Sequence, residues 1–198
     1  MGDSTAAGQG VAYTQGIAVG TAMHLAKQYT VTMTNLAVTG ARMEDVLQKQ
    51  VPFAKEKKPD LILIAVGAND VTHGTSLAAL REKLTRSISE LTKNNCNSKI
   101  VLTGSPDMGS VKLFAQPLRF VAGLQGNRVN KEIQKIIDEY QLTHAPIAKE
   151  TGSFFRKDKT LFASDNFHPN ERGYGLWIPV LNTAIDTALT SQPSHCQY

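Results

Sequence analysis

Apolar residues along this chain recur with two different periods, and the period changes repeatedly from one to the other. Within residues 76–93, Leu77, Leu80, Leu84, Ile88 and Leu91 fall three or four apart with charges between them, the spacing of a helix that buries one face. Val129, Ile133, Ile136 and Ile137 repeat that spacing within 126–140, and further helices are expected over 13–28 and 171–189. Against these stand short, unbroken apolar runs. Residues 61–66 read Leu-Ile-Leu-Ile-Ala-Val between Pro59-Asp60 and Gly67, the pattern of a strand buried on both faces. Residues 31–36 and 100–103 read as strands too, and 141–144 as a weaker fourth that enters a loop running to 162. Strands alternating with helices predict an α/β fold, a three-layer sandwich on a parallel sheet with right-handed crossovers. A single domain over 1–198 is expected.

Composition narrows the class. The chain has 198 residues, 41% hydrophobic and 19% charged, and no apolar run approaches the roughly 20 residues a membrane-spanning helix needs. Its 21 Lys+Arg against 17 Asp+Glu give a net charge of +4. These residues are scattered apart from 55–58 and 156–159, and both clusters include an acid, which fits a solvated surface better than a nucleic-acid face. Cys96 and Cys196 lack metal-ligand spacing, and each follows an expected helix. A disulfide between them and two separate thiols both fit; the disulfide would favour an oxidising compartment. An exported location is expected for a processed fragment, and a cytoplasmic one otherwise.

Four short words carry chemistry: Gly2-Asp3-Ser4, Asn35 to Gly40, Gly67-Ala68-Asn69-Asp70 and Asp165-Asn166-Phe167-His168-Pro169. Each lies where a strand ends or a helix begins, the rim at which open α/β sheets bind ligands. A serine hydroxyl becomes a useful nucleophile only when an adjacent base takes its proton. Ser4 as nucleophile, His168 as general base and then acid, and Asp165 as the carboxylate orienting the imidazole make one such set. Taken singly, each word has a plainer meaning as a turn or helix cap. Their conjunction in this order is what gives them weight.

The order Ser, Gly, Asn, Asp-x-x-His resembles the SGNH branch of the GDSL esterase and lipase family, from Gly2 to about Leu189. That resemblance implies a three-layer, flavodoxin-like sandwich and a serine esterase needing no cofactor or metal. It also implies oxyanion donors at the Ser4 and Gly40 backbone N–H groups and the Asn69 side-chain amide. The expected substrates are short- to medium-chain carboxylic esters, cleaved through an acyl-Ser4 intermediate. Carbohydrate deacetylases, lysophospholipases and thioesterases of the same family are alternatives, as is a catalytically impaired binding or assembly module. No Gly-x-Ser-x-Gly elbow or phosphate-binding glycine loop competes. His24, His73, His144 and His195 show no metal-ligand pattern.

Pocket walls are expected from 105–120, which contains Phe114, Pro117, Leu118 and Phe120, and from a second loop at 152–162. Simple packing on the neighbouring helix explains the first stretch equally well. Asp3, His73, Phe114, Phe155 and Phe167 are the candidate pocket residues. In the resembling family a whole strand precedes Gly-Asp-Ser, and only Met1 stands in its place here, which implies a missing or truncated first strand. A longer natural product, a homo-oligomer or strand exchange that supplies a strand, or a closed-up sheet would each compensate.

Overall fold

The computed structural model describes residues 1–93 and 95–191. The question of whether Cys96 pairs with Cys196 lies outside the described residues. Three parallel strands form the sheet in the order β1 (Leu61–Ile64), β2 (Lys99–Leu102), β3 (Thr143–His144). The helices are α1 (Ser4–Ala7), α2 (Ile17–Leu25), α3 (Met43–Asp45), α4 (Val51–Lys57), α5 (Ala68–Thr72), α6 (Leu77–Thr92), α7 (Leu118–Tyr140), α8 (Ile147–Lys157) and α9 (Glu171–Thr190).

Successive strand residues point to opposite faces, and both faces are covered. Ile62 and Ile64 join Leu80, Leu84, Ile88, Ile133 and Ile136 in one core, beneath α6 and α7. Leu61 and Leu63 pack against the other core, where Val101 meets Ile17, Trp177, Leu181 and Ile185 of α2 and α9. The unbroken apolar runs are therefore explained: both faces of the sheet pack against helices, with Leu61 and Leu63 partly buried and Ile62 and Ile64 fully so.

Residues 31–36 do not form the expected strand; they run as irregular backbone. The place beside β1 is taken by the first three residues. The Met1 ammonium donates to Leu63 O at 2.8 Å, Ala65 N–H to Met1 O at 3.1 Å and Asp3 N–H to Ala65 O at 3.0 Å, a parallel ladder centred on the Gly2–Ala65 bridge. Val38 N–H reaches Gly2 O from the other side at 3.1 Å. Below that point a groove of about 650 Å³ opens between Leu61–Leu63 and residues 29–36, lined by Ile17, Thr21 and Ile185. The 31–36 segment thus faces a gap where a strand would need a ladder partner. Its apolar residues alone cannot make it one.

Two further stretches differ from expectation. α7 starts at Leu118 rather than at 126, because Gly123 and Gly126 sit inside it as close-packing positions: a Cβ on Gly123 would lie 3.1 Å from Gly109 Cα. The 144–162 loop contains α8, whose Ile147, Thr151 and Phe155 are buried at i, i+4 and i+8. Gly152 belongs to that buried face because the Asp107 side chain occupies the space of a Cβ, 2.8 Å away.

Candidate active site

The Gly2-Asp3-Ser4 turn is built from backbone constraints. Gly2 has φ +135°, and a Cβ there would lie 1.9 Å from Ala65 O, so only glycine lets the chain lie this close to the end of β1. Asp3 then caps α1: its Oδ1 accepts from Thr5 N–H at 2.9 Å and Thr5 Oγ1–H at 2.8 Å. Ser4 becomes the first helical residue, with its N–H lacking an intrahelical partner. Burial raises the Asp3 carboxyl to about 6, against the opposing pull of the Thr5 hydrogen bonds.

From the other end of the chain, the turn at 165–168 brings a base to this serine. Asp165 Oδ1 accepts the N–H groups of Phe167 and His168, both at 2.9 Å, which closes the turn. Its Oδ2 lies 2.6 Å from His168 Nδ1, and His168 Nε2 lies 2.8 Å from Ser4 Oγ. Burial pushes the Asp165 carboxyl up, but the bonds from His168 and from the Phe167 and His168 N–H groups outweigh it and hold it below its ordinary value. Ser4 and His168 are both buried, whereas Asp165 is about two-fifths exposed, at 38%. An imidazole so placed can take a hydroxyl proton at Nε2 while its Nδ1–H is held by a carboxylate.

The 35–40 and 67–70 words meet at the same rim. Asn35 Nδ2–H donates to Ala6 O at 3.0 Å and its Oδ1 accepts from Ala37 N–H at 3.0 Å, which fixes the segment leading to Gly40 against α1. Gly40 is exposed at φ +82°, with nothing within 4 Å of where a Cβ would be. Asn69 Nδ2–H donates to Ala41 O at 3.1 Å, so the second hydrogen of that amide stays near the Gly40 turn. Asp70 Oδ2 accepts Met43 N–H at 3.1 Å, tying α5 to the start of α3; burial raises its carboxyl.

Of the candidate pocket residues, Phe114 and Phe167 meet edge-on at 5.9 Å between ring centres, and Phe167 leans on His168 at 4.9 Å. Phe155 is buried in the core against Phe162 and Trp177. A cavity of about 20 Å³, room for one water, lies between Thr5, Ala68, Met108, Phe155 and Phe167. His73 is exposed at the end of α5, its Nδ1 2.9 Å from Asn69 O.

One supporting residue is not evident from the sequence. Gln50, buried at the end of a π turn (Val46–Gln50), accepts Gly2 N–H on Oε1 at 2.7 Å and donates from Nε2 to Gly2 O at 2.8 Å. It follows Gln48 and Lys49 in sequence, and although it falls four residues from both Val46 and Ala54, its polar side chain hides it among interior positions. Its π turn, a backbone feature frequent at functional sites, becomes visible only in the fold.

Comparison with known proteins places the chain. A sequence model described as the GDSL-like Lipase/Acylhydrolase family matches residues 1–176. The chain is 28% identical over 198 residues to GDSL-like esterase Rv1075c of Mycobacterium tuberculosis, covering 97% of this chain and 62% of that protein. It is 30% identical over 129 residues to a multidomain esterase of Ruminococcus flavefaciens, covering 62% of this chain and 15% of that one. The chain thus spans less than two thirds of the length of these relatives. Among solved structures, TesA superposes with a TM-score of 0.75 at 18% identity, covering 94% of this chain and 96% of its own. A two-domain esterase active on acetylated mannans superposes at 0.69 with 16% identity, over 100% of this chain and 51% of that one. At such identities these structures show a shared α/β fold.

Proposed function

This chain belongs to the GDSL-like lipase/acylhydrolase family, and on that premise we propose that it hydrolyses short- to medium-chain carboxylic esters through an acyl-Ser4 intermediate. The observation that carries the reading is the unbroken relay from Ser4 Oγ through His168 to Asp165, at 2.8 and 2.6 Å.

In this mechanism His168 Nε2 takes the Ser4 proton as Oγ attacks the ester carbonyl carbon. Asp165 keeps Nδ1–H engaged and stabilises the imidazolium that forms. The carbonyl oxygen, now an oxyanion, is received by the backbone N–H of Ser4, the backbone N–H of Gly40 and the Asn69 amide, donors held in place before the reaction. His168 then protonates the leaving alkoxide. A water then attacks the acyl carbon, giving its proton to the same nitrogen, and as the bond from that carbon to Ser4 Oγ breaks His168 returns the proton to Oγ, which releases the carboxylic acid. The chemistry needs no cofactor.

Phe114 and Phe167 offer one apolar wall beside the imidazole, which suits a small acyl group. Deacetylation of a carbohydrate is the second reading. It is favoured by the open space around Gly40, where a bulky alcohol can sit, and by the fold shared with the esterase active on acetylated mannans.

The deciding experiment is cleavage of p-nitrophenyl acetate and butyrate by the chain and by Ser4→Ala, with organophosphate labelling located by peptide mass. Cleavage abolished in Ser4→Ala and label on Ser4 support the reading. Folded protein that neither cleaves nor labels overturns it. Acetylated xylan and mannan, assayed in parallel, separate the two substrate classes.

A further inference from the structure

The stretch from Lys112 to Lys131 contains four basic residues, Lys112, Arg119, Arg128 and Lys131, and no acid. It also contains five large apolar side chains left in solvent, Leu113, Leu118, Phe120, Val121 and Leu124, each between 45% and 62% exposed. Single exposed apolar residues are ordinary; five within a dozen positions are not.

Their arrangement is regular. Phe120, Val121, Leu124, Arg128 and Lys131 follow one another along the solvent face of α7, and the opposite face, with Ala122, Gly126, Val129 and Ile133, is buried. The exposed face is apolar over its first turns and basic at Arg128 and Lys131, ahead of the exposed Asp138 and Glu139 in the last turn. Leu113 and Leu118 extend the apolar end.

That end adjoins the Ser4 rim. Leu113 N–H donates to Asn166 O at 2.9 Å, within the turn that carries His168. Phe114, the next residue, packs on Phe167. Arg119 stiffens the connection, with Nε–H to Phe114 O at 2.8 Å and Nη2–H to Lys112 O at 3.3 Å.

We propose that the face running from Leu113 to Lys131 seats the protein on an anionic lipid–water interface, with the Ser4 rim beside the contact. A helix lying in the interface inserts its apolar side chains at the level of the acyl boundary and keeps its cations among the phosphates, and this face supplies both in one stripe. Charge argues against the other occupants. Two copies of the face would bring like charges together. A single-stranded nucleic acid would need aromatic platforms, and four of the five exposed apolar residues are aliphatic. Among the described residues no helix is long and apolar enough to cross a membrane, so α7 would lie on the bilayer.

The test is co-sedimentation of the chain with vesicles of phosphatidylcholine alone and with added phosphatidylglycerol, at low and near-physiological salt. Partition onto the anionic vesicles that weakens with salt is expected. Val121→Ser/Leu124→Ser should lower it about tenfold, and Arg128→Gln/Lys131→Gln about tenfold with loss of the preference for phosphatidylglycerol. Both pairs are on the surface and should keep the parent's thermal melt and circular dichroism, which also certify folding. Vesicle binding is read without hydrolysis, so a chain that binds but cleaves no ester would sink the esterase reading and leave this one standing. The proposal is overturned if the parent stays in the supernatant, if either pair partitions like the parent, or if the face instead mediates self-association or RNA binding.

Discussion

Gln50 grips Gly2 on both sides of its Cα, accepting its N–H at 2.7 Å and donating to its carbonyl at 2.8 Å from one buried side-chain amide. It does for Gly2 what a neighbouring strand would do for a residue in a sheet. Gly2 is two residues from Ser4, so this amide also sets where the hydroxyl points.

Gln50→Leu should therefore cost both stability and turnover. It leaves the buried Gly2 N–H without a partner, at about 1–3 kcal/mol, while the Gly2 carbonyl keeps the Val38 N–H as its donor. A displacement of the serine by about 1 Å is enough to slow an aligned reaction by on the order of 10²-fold. Urea unfolding should show a lower midpoint, and the folded fraction should cleave p-nitrophenyl acetate at least tenfold more slowly. Parent-like unfolding and turnover would mean that the β1 ladder alone holds the turn.

Breaking the far end of the relay should act on rate rather than folding. Asp165→Asn keeps an oxygen to accept from the Phe167 and His168 N–H groups, so the turn survives, but it no longer holds His168 in the required tautomer. A loss in kcat on the order of 10⁴-fold is expected, with the thermal melt nearly unchanged. Loss of less than about tenfold would remove Asp165 from the orienting role.

The words that the fold brings to one rim were legible because each is a local device: a turn, a cap or a dipeptide whose chemistry lies in its own residues. The strands at 61–66 and 100–103 were legible because burial on both faces leaves an unbroken apolar run, as Ile62 and Leu63 on opposite sides of β1 show. Residues 31–36, Val-Thr-Met-Thr-Asn-Leu, are rich in β-branched residues but have no ladder partner, and a strand's existence depends on that partner. α8 was hidden because Gly152 and the flanking basic residues look like a loop until Asp107 is seen filling the missing Cβ. Gln50 was hidden for the deeper reason that its partner lies 48 residues away.

Asn69→Ala tests the proposed oxyanion donors. The Asn69 amide is anchored by Ala41 O, which leaves a hydrogen for a developing oxyanion beside Gly40. Removing it should lower kcat by about 10²- to 10³-fold and leave KM within a few-fold, because the donor acts most strongly in the transition state. A raised KM at constant kcat would instead mark the amide as a substrate-binding group.

Asp3 gives the stability a pH dependence of definite sign. Burial lifts its carboxyl from 3.8 in the unfolded chain to about 6, so between those values the folded protein holds the proton more tightly. Stability from this group is fully present below about pH 3.8, falls as pH rises through the window, and is gone above about 6. The difference is about two pK units, or up to about 3 kcal/mol. Asp3→Asn keeps an oxygen for Thr5 and cannot ionise. Measured by urea unfolding, it should match the parent near pH 4 and exceed it near pH 7.5 by as much as that amount. A parent-to-variant difference that stays constant across the two pH values would show that the Asp3 carboxyl titrates alike in the folded and unfolded chain.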